Sequence, residues 1–320
     1  MRVVITGATG NIGTSTIEAM GDVGGVDEIV GVAKRRSRWV PPKTTWHDAD
    51  VAKDDLVPVF AGADAVVHLA WLIQPSHDPW RQWETNVVGT ERVLAAAATA
   101  DVRRLVYVSS IGAYSPGPRD HGVDESWPTD GVPTLPYSWQ KALVERSVGR
   151  FAVAHPDVRV VVLRPALVFK GMAAREIKRF FLGPLVPGRL VRGEQAATIN
   201  RWSPLQFQAV HSLDVGQALR LAVVNDDARG AFNLAADPVI GHDRFRATSV
   251  ARGLAALSWQ ARLQPTAPGW LDLARRVPRL DSSRARDELG WAPVHTATDA
   301  LTELLDGLHA GEHGPTPALS

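Results

Sequence analysis

The 320-residue chain contains no cysteine. That removes disulfides, thiolate nucleophiles and thiolate-held metals, and it is compatible with a reducing compartment. It also lacks an excess of charge: 35 Lys and Arg stand against 34 Asp and Glu, for a net charge of +1. Such a balance gives no general attraction to nucleic acid or to an anionic membrane. No run approaches the ~20 apolar residues needed to cross a bilayer. The N-terminus enters Val3–Val4–Ile5 directly, without the basic region and cleavage site of a secretory leader. There is no internal repeat and no His/Asp/Glu spacing suited to a metal. These absences predict a cytoplasmic protein that acts on a small molecule, with no metal, nucleic-acid or membrane partner.

With 45% hydrophobic residues the chain can bury a substantial core. Short apolar runs alternate with helical patterns through its first half. Strands are expected at Arg2–Thr6, Glu28–Ala33, Thr44–Ala49, Ala65–Ala70, in "VRRLVYVSS" and in "VRVVVLRP". Helices are expected at Ile12–Met20, in "WETNVVGTERVLAAAATA" and in "PYSWQKALVERSVGRFAVA", which opens on the proline favoured in a first turn. Strands separated by helices imply βαβ units, a parallel sheet and helices on both faces. The predicted fold is α/β, a Rossmann-type doubly wound parallel sheet. Residues 1–165 form its dinucleotide-binding core and 166–320 mainly a smaller substrate lobe, with about 205–236 returning to complete the core. The last ten residues read as a flexible tail.

"ITGATGNIG" places Gly7, Gly10 and Gly13 between a strand and a helix. Glycines there permit a tight turn and close backbone approach, and the helix N-terminus offers free N–H groups to a pyrophosphate. Gly7, Thr9, Gly10, Asn11, Ile12 and Gly13 are therefore cofactor-binding candidates. About 20 residues beyond such a loop an acidic residue normally holds the adenosine ribose. That count reaches Ala33, which is followed by Lys34, Arg35 and Arg36. A cationic triplet suits a 2′-phosphate, so NADP(H) is favoured as cofactor, with NAD(H) the alternative.

Tyr137 and Lys141 stand at i and i+4 of a predicted helix, with Cβ atoms about 5–6 Å apart. An ammonium so placed would lower the phenol's pKa from ~10 and make it a usable acid and base. Upstream, "LVYVSS" ends in Ser109 and Ser110 at a strand's carboxyl end, where ligands of such sheets bind.

In this order the motifs resemble the extended short-chain dehydrogenase/reductases of the NAD-dependent epimerase/dehydratase superfamily. "TGATGNIG", "VVHLA", "NVVGT", "YVSSIGAY", "YSWQK" and the late "DSSRARDELGWAP" all match family segments. The resemblance implies Tyr137 as general acid/base, Lys141 as its partner at the nicotinamide ribose, and Ser110 polarising the substrate oxygen. It implies Asp50 and Val51 at the adenine. Leu69, Ala70, Trp71, Asn86, Ser109, Pro165, Leu167 and Val168 complete the expected cofactor site. It also implies a homodimer through helices around residues 80–99 and 137–153.

Departures from the family narrow the reaction. Ile111 and Gly112 stand where dehydratases carry acids, and Leu167 where nucleotide-sugar enzymes often carry Asn. Trp71, Ser110, Ile111, Tyr114, Phe169 and Trp202 are expected to face the substrate, whereas Trp83, Phe180 and Phe181 read as packing. These features favour a ketoreductase or dehydrogenase acting on a relatively apolar small molecule. The alternatives are a nucleotide-sugar epimerase, with Arg189 or Arg192 as phosphate partners, and a non-catalytic cofactor sensor.

Overall fold

The computed structural model describes every residue except 22–23, 75–76, 183–187, 189–190 and 244–255, and it leaves the side chain of residue 182 undescribed. Twelve strands are described: β1 (Arg2–Thr6), β2 (Glu28–Ala33), β3 (Thr44–Asp48), β4 (Ala65–His68), β5 (Arg104–Val108), β6 (Gly122–Val123), β7 (Arg159–Pro165), β8 (Leu167–Phe169), β9 (Phe207–His211), β10 (Gly230–Leu234), β11 (Ala236–Ile240) and β12 (Arg279–Leu280). Seven of them form one parallel sheet in the order β10-β7-β5-β4-β1-β2-β3. The chain therefore winds outward in both directions from β1. The crevice where the winding reverses opens beyond the carboxyl ends of β1 and β4, where such folds bind ligands.

The central strands are rich in Val and Ile because both of their faces are covered. Val3 and Ile5 pack toward the helices Asn11–Gly21 and Ser212–Val224. Val4 faces the opposite cluster, which includes Val93 of Gly89–Thr99 and Val144 of Pro136–Ala154. Each of these aliphatic side chains contributes about 1.5–3 kcal/mol on burial. The helix expected around 84–99 is not uniform, because Glu84–Val88 forms a π-turn before Gly89–Thr99.

Beyond Pro165 a second sheet, β11-β9-β8, packs on the helix Ala297–Ala310. That helix starts at a capping box between Thr296 and Asp299 and stops at Gly311, whose φ is +68°. The last residues are not a loose tail. Thr316 and Leu319 are 1% and 0% exposed, and the Thr316 hydroxyl donates to the Thr9 carbonyl at 2.6 Å. Burial of Leu319 and that bond overcome the chain entropy expected of a terminus.

The helices Asn11–Gly21 and Ser212–Val224 touch at Gly216, where any Cβ would collide with the Ser15 carbonyl. Gly216→Ala should therefore separate the helix that carries the glycine loop from its neighbour. We expect a loss of about 1–3 kcal/mol, read from urea denaturation. An unchanged midpoint would show that the contact yields freely.

Candidate active site

The carboxyl ends of β1, β4, β5 and β7 converge on one crevice. After β1, Gly7 adopts φ +72°, and a Cβ on it would lie 2.7 Å from the Ala70 nitrogen. Only glycine allows the loop to lie this close to Leu69 and Ala70 at the end of β4. A Cβ on Gly13 would stand 2.6 Å from the Ala8 backbone, whereas a Cβ on Gly10 would meet nothing closer than 3.5 Å. The loop is thus packed from behind and open in front. Asn11 donates from Nδ2 to the Val168 carbonyl at 3.3 Å, yet its Oδ1 is buried without a partner. Ser109 Oγ and Trp71 Nε1 are likewise buried and unpartnered. Buried polar atoms are normally satisfied. These three, beside a glycine-rich loop at a helix N-terminus, fit a polar dinucleotide.

Ser110, at the end of β5, caps a short 3-10 turn, accepting from the Gly112 nitrogen at 3.0 Å. Gly112 has no side chain to push Tyr137 away: a Cβ there would stand 2.9 Å from the Tyr137 ring and 3.4 Å from Ser110 Oγ. Burial pushes the Tyr137 phenol up to about 12, and a hydrogen bond with Ser110 works against that rise. The structure therefore corrects the expected lowering by Lys141. The Lys141 Nζ turns instead to the Val108 carbonyl at 2.9 Å, the Tyr107 hydroxyl at 3.3 Å and the face of Trp71 at 3.6 Å. Burial holds its pKa well below the ordinary lysine value, with Glu145 opposing.

Asn86 explains how this arrangement is fixed. From the π-turn it accepts from the Leu72 nitrogen at 2.7 Å, donates to the Leu72 carbonyl at 3.0 Å, and donates to Gln140 Oε1 at 2.8 Å. It thereby clamps the segment carrying Trp71 to the helix carrying Tyr137 and Lys141. Beneath them, His68 joins Thr6 at 2.7 Å and Thr90 at 2.9 Å, and stacks on Tyr107. Burial and the Lys141 charge lower its pKa to about 3.

Three aromatics surround the Tyr137 ring or one another. Trp71 meets it edge-on at 6.1 Å, Trp270 lies 5.0 Å away, and Phe181 stands edge-on to Trp270 at 4.9 Å. Trp270 and Phe181 are absent from the expected substrate set. Phe181 reads as packing in sequence, and Trp270 follows a Pro-Gly pair far from every motif, so neither carries a local signal. Thr266 also bonds to the Phe181 carbonyl, and Gln74 donates to Phe180 and Pro265 carbonyls, both at 3.0 Å. Next to this layer lies a cavity of ≈840 Å³ lined by Arg175, Lys178, Arg179 and Arg262, together with Asp78 and the C-terminal Ser320.

Other expected residues lie elsewhere. Tyr114 is fully buried, its hydroxyl donating to Asn233 at 2.7 Å and accepting from Arg164 at 2.8 Å, which leaves nothing for a substrate. Ile111 fills a small apolar cluster with Ala166 and Leu280, and Phe169 packs on Phe207 in the lobe core. Trp202 is 70% exposed on a surface helix, under the Arg201 guanidinium. Leu167 is half-exposed on β8 and Pro165 is buried at the end of β7, while Ile12 is partly buried in the glycine-loop helix. Val51 is buried against the Gly89 position. Lys34 pairs with Asp50 at 2.9 Å, Arg35 donates to the Pro317 carbonyl at 2.8 Å, and Arg36 is exposed. Arg192 is exposed and Arg189 lies outside the described residues. No group of three or more metal-ligating side chains occurs among the described residues, nor is any described helix long and apolar enough to cross a membrane.

The family model described as "NAD dependent epimerase/dehydratase family" matches residues 3–235. A UDP-glucose 4-epimerase of Mycolicibacterium smegmatis is 27% identical over 330 residues, covering 96% of this chain and 98% of that protein. An uncharacterized protein of Mycobacterium tuberculosis is 25% identical over 305 residues, 95% of this chain; the chain spans only 29% of that relative's length. Among solved structures, the UDP-glucose 4-epimerase from Bifidobacterium longum in complex with NAD+ and UDP aligns with a TM-score of 0.68 at 20% identity, covering 96% of this chain and 98% of that one.

The buried His68 makes a pH prediction. Its ring titrates near 6.5 when unfolded and at about 3 when folded. Between those values the unfolded chain takes the proton, so the stabilisation is full above the unfolded pKa and declines as pH falls. From about pH 7.5 to about pH 5, the stability advantage of wild type over His68→Gln should shrink by about 2 kcal/mol. Glu176, whose carboxyl burial lifts to about 7, works in the opposite direction in both proteins, so the difference between them is the quantity to measure by denaturation. A constant difference would mean that His68 is not held neutral.

Proposed function

Because the chain belongs to the NAD dependent epimerase/dehydratase family, we propose that it oxidises and re-reduces a carbinol carbon of a nucleotide-linked sugar, with no net redox change. The observation that carries this reading is the Ser110–Tyr137 hydroxyl pair, connected through Trp270, Phe181 and Thr266 to Pro265 at the rim of a cavity whose lining includes Arg175, Lys178, Arg179 and Arg262. Guanidinium and ammonium groups suit the diphosphate of such a substrate. The Mycolicibacterium relative, named as a UDP-glucose 4-epimerase, supports the same reading.

A nicotinamide ring, when bound, supplies the hydride acceptor and donor. The backbone N–H groups of the loop from Gly7 to Gly13 would hold the pyrophosphate, while Asn11 Oδ1 would accept from, and the Ser109 hydroxyl bond to, hydroxyl or amide groups of the dinucleotide. Ser110 orients the substrate hydroxyl, and Tyr137 takes its proton as the carbonyl forms and returns it as the carbonyl is reduced. Because burial keeps the phenol protonated at rest, Tyr137 must give that proton up to solvent before it can act as the base, a loss that positive charge brought close by an oxidised cofactor would favour. Trp71, Trp270 and Phe181 exclude water around it. Ile111 and Gly112, in place of acidic groups, leave no second carboxyl for an elimination.

For the cofactor, NAD(H) is the reading we adopt. Lys34 is drawn to Asp50 and Arg35 to the Pro317 carbonyl, so the triplet does not stand ready as a 2′-phosphate clamp. A second reading, reduction of an apolar ketone, is favoured by one observation, the aromatic surround of Tyr137.

Incubation of the protein with NAD+ and UDP-hexoses should yield the epimeric sugar without accumulating NADH, and Tyr137→Phe should slow this by roughly 10²–10⁴-fold while keeping nucleotide affinity. Stoichiometric NADH release, or turnover only on apolar ketones, would favour the second reading. Titration should also show NADH binding at least as tightly as NADPH, and a clear preference for NADPH would return the triplet to its expected role.

A further inference from the structure

The segment from Glu312 to Ser320 follows the last helix and folds back on itself, with Gly314 and Leu319 joined through their backbones at 3.1 Å. Three consecutive residues then fasten it to three separate elements. The Thr316 hydroxyl donates to the Thr9 carbonyl, inside the glycine loop, at 2.6 Å. The Pro317 carbonyl accepts from Arg35, just beyond β2, at 2.8 Å. The Ala318 carbonyl accepts from Arg179, in the lobe, at 3.3 Å. Leu319 is fully buried behind them.

We propose that residues 312–320 are a working part of the nucleotide site: a strap that closes over a dinucleotide in the glycine loop and slows its departure. This rests on the reading that a nicotinamide dinucleotide occupies that loop. Thr9 marks the pyrophosphate end of the cradle and Arg35 the adenosine end, so the strap runs along the nucleotide's length and ties it to the lobe. It does so without filling the cradle. The space in front of Gly10 stays open, and Asn11 Oδ1 and Ser109 Oγ remain without partners. The three latches lie on adjacent residues, so lifting the segment breaks all three. A reaction that returns its cofactor to the starting oxidation state has no need to exchange it each cycle, and a slow exit suits it.

The test uses the full chain, a chain ending at Gly311, and Thr316→Val, each loaded with NADH and chased with excess NAD+ in a stopped-flow fluorimeter. The shortened chain should release NADH about tenfold faster or more. Thr316→Val, which removes one hydrogen bond and keeps Leu319, should release it about fivefold faster. NADH should also protect the full chain's last residues from carboxypeptidase trimming. Release rates within about twofold of the full chain, or equal trimming with and without NADH, would overturn the strap while leaving the functional reading intact. Tighter binding after shortening would also overturn it, making the segment a plug. Failure of the full chain to bind NADH at all would sink the strap and the functional reading together.

Discussion

The site is organised around one buried cation. Lys141 is 4% exposed, and its ammonium is held by a carbonyl, a hydroxyl and an indole face rather than by a direct carboxylate bond. Taking an ammonium out of water costs several kcal/mol even after relaxation, so neighbouring elements must compensate. Glu145, one turn further along the same helix, supports the positive charge. It is itself buried and is paired with Arg164 at 2.7 Å. Arg164 in turn holds the Tyr114 hydroxyl and the Glu125 carbonyl. Burial, with the same charge adding to it, keeps His68 neutral between Thr6 and Thr90. A single amine thus imposes chemistry on β1, β4, β5 and β7 at once.

This arrangement links the catalytic end and the binding end of the crevice. Around Tyr137 the walls are aromatic, and a low local dielectric strengthens the Ser110 and Lys141 interactions. The cationic residues are displaced to the neighbouring cavity, where solvation offsets their mutual repulsion. Burial, opposed by the Ser110 hydrogen bond, sets the Tyr137 phenol at about 12.

The fold was legible in sequence wherever both strand faces are buried. β1 and β2 and the helix Pro136–Ala154 have the bounds their patterns predict, because Val and Ile runs and the Pro136 start leave one reading. Ser110, Tyr137 and Lys141 were legible as candidates because a strand end and an i, i+4 spacing place them locally. What was illegible depends on contacts across long chain separations. Trp270 reaches Tyr137 from 133 positions away, and its role follows from the packing of the lobe and not from any spacing. Tyr114 and Phe169 carried motif or aromatic signals, but burial consumes them structurally. The partners of the cationic triplet were illegible for the same reason: Asp50 and Pro317 lie 16 and 282 positions from Lys34 and Arg35.

The C-terminal segment shows how far such long-range contacts can change a local reading. Small polar residues and prolines at a terminus ordinarily signal disorder, because they bury too little apolar area to offset ordering. Here one leucine and one threonine supply the burial, and the other bonds are drawn from groups already present in the glycine loop and the lobe. The Thr9 carbonyl that accepts from the segment lies in the loop that Gly7, at φ +72°, turns past the end of β4. The residues that open the cradle to a nucleotide therefore also present the carbonyl that anchors the segment. On the proposed reading, nucleotide binding and the order of the last residues share one loop, so a change in either should be felt by the other.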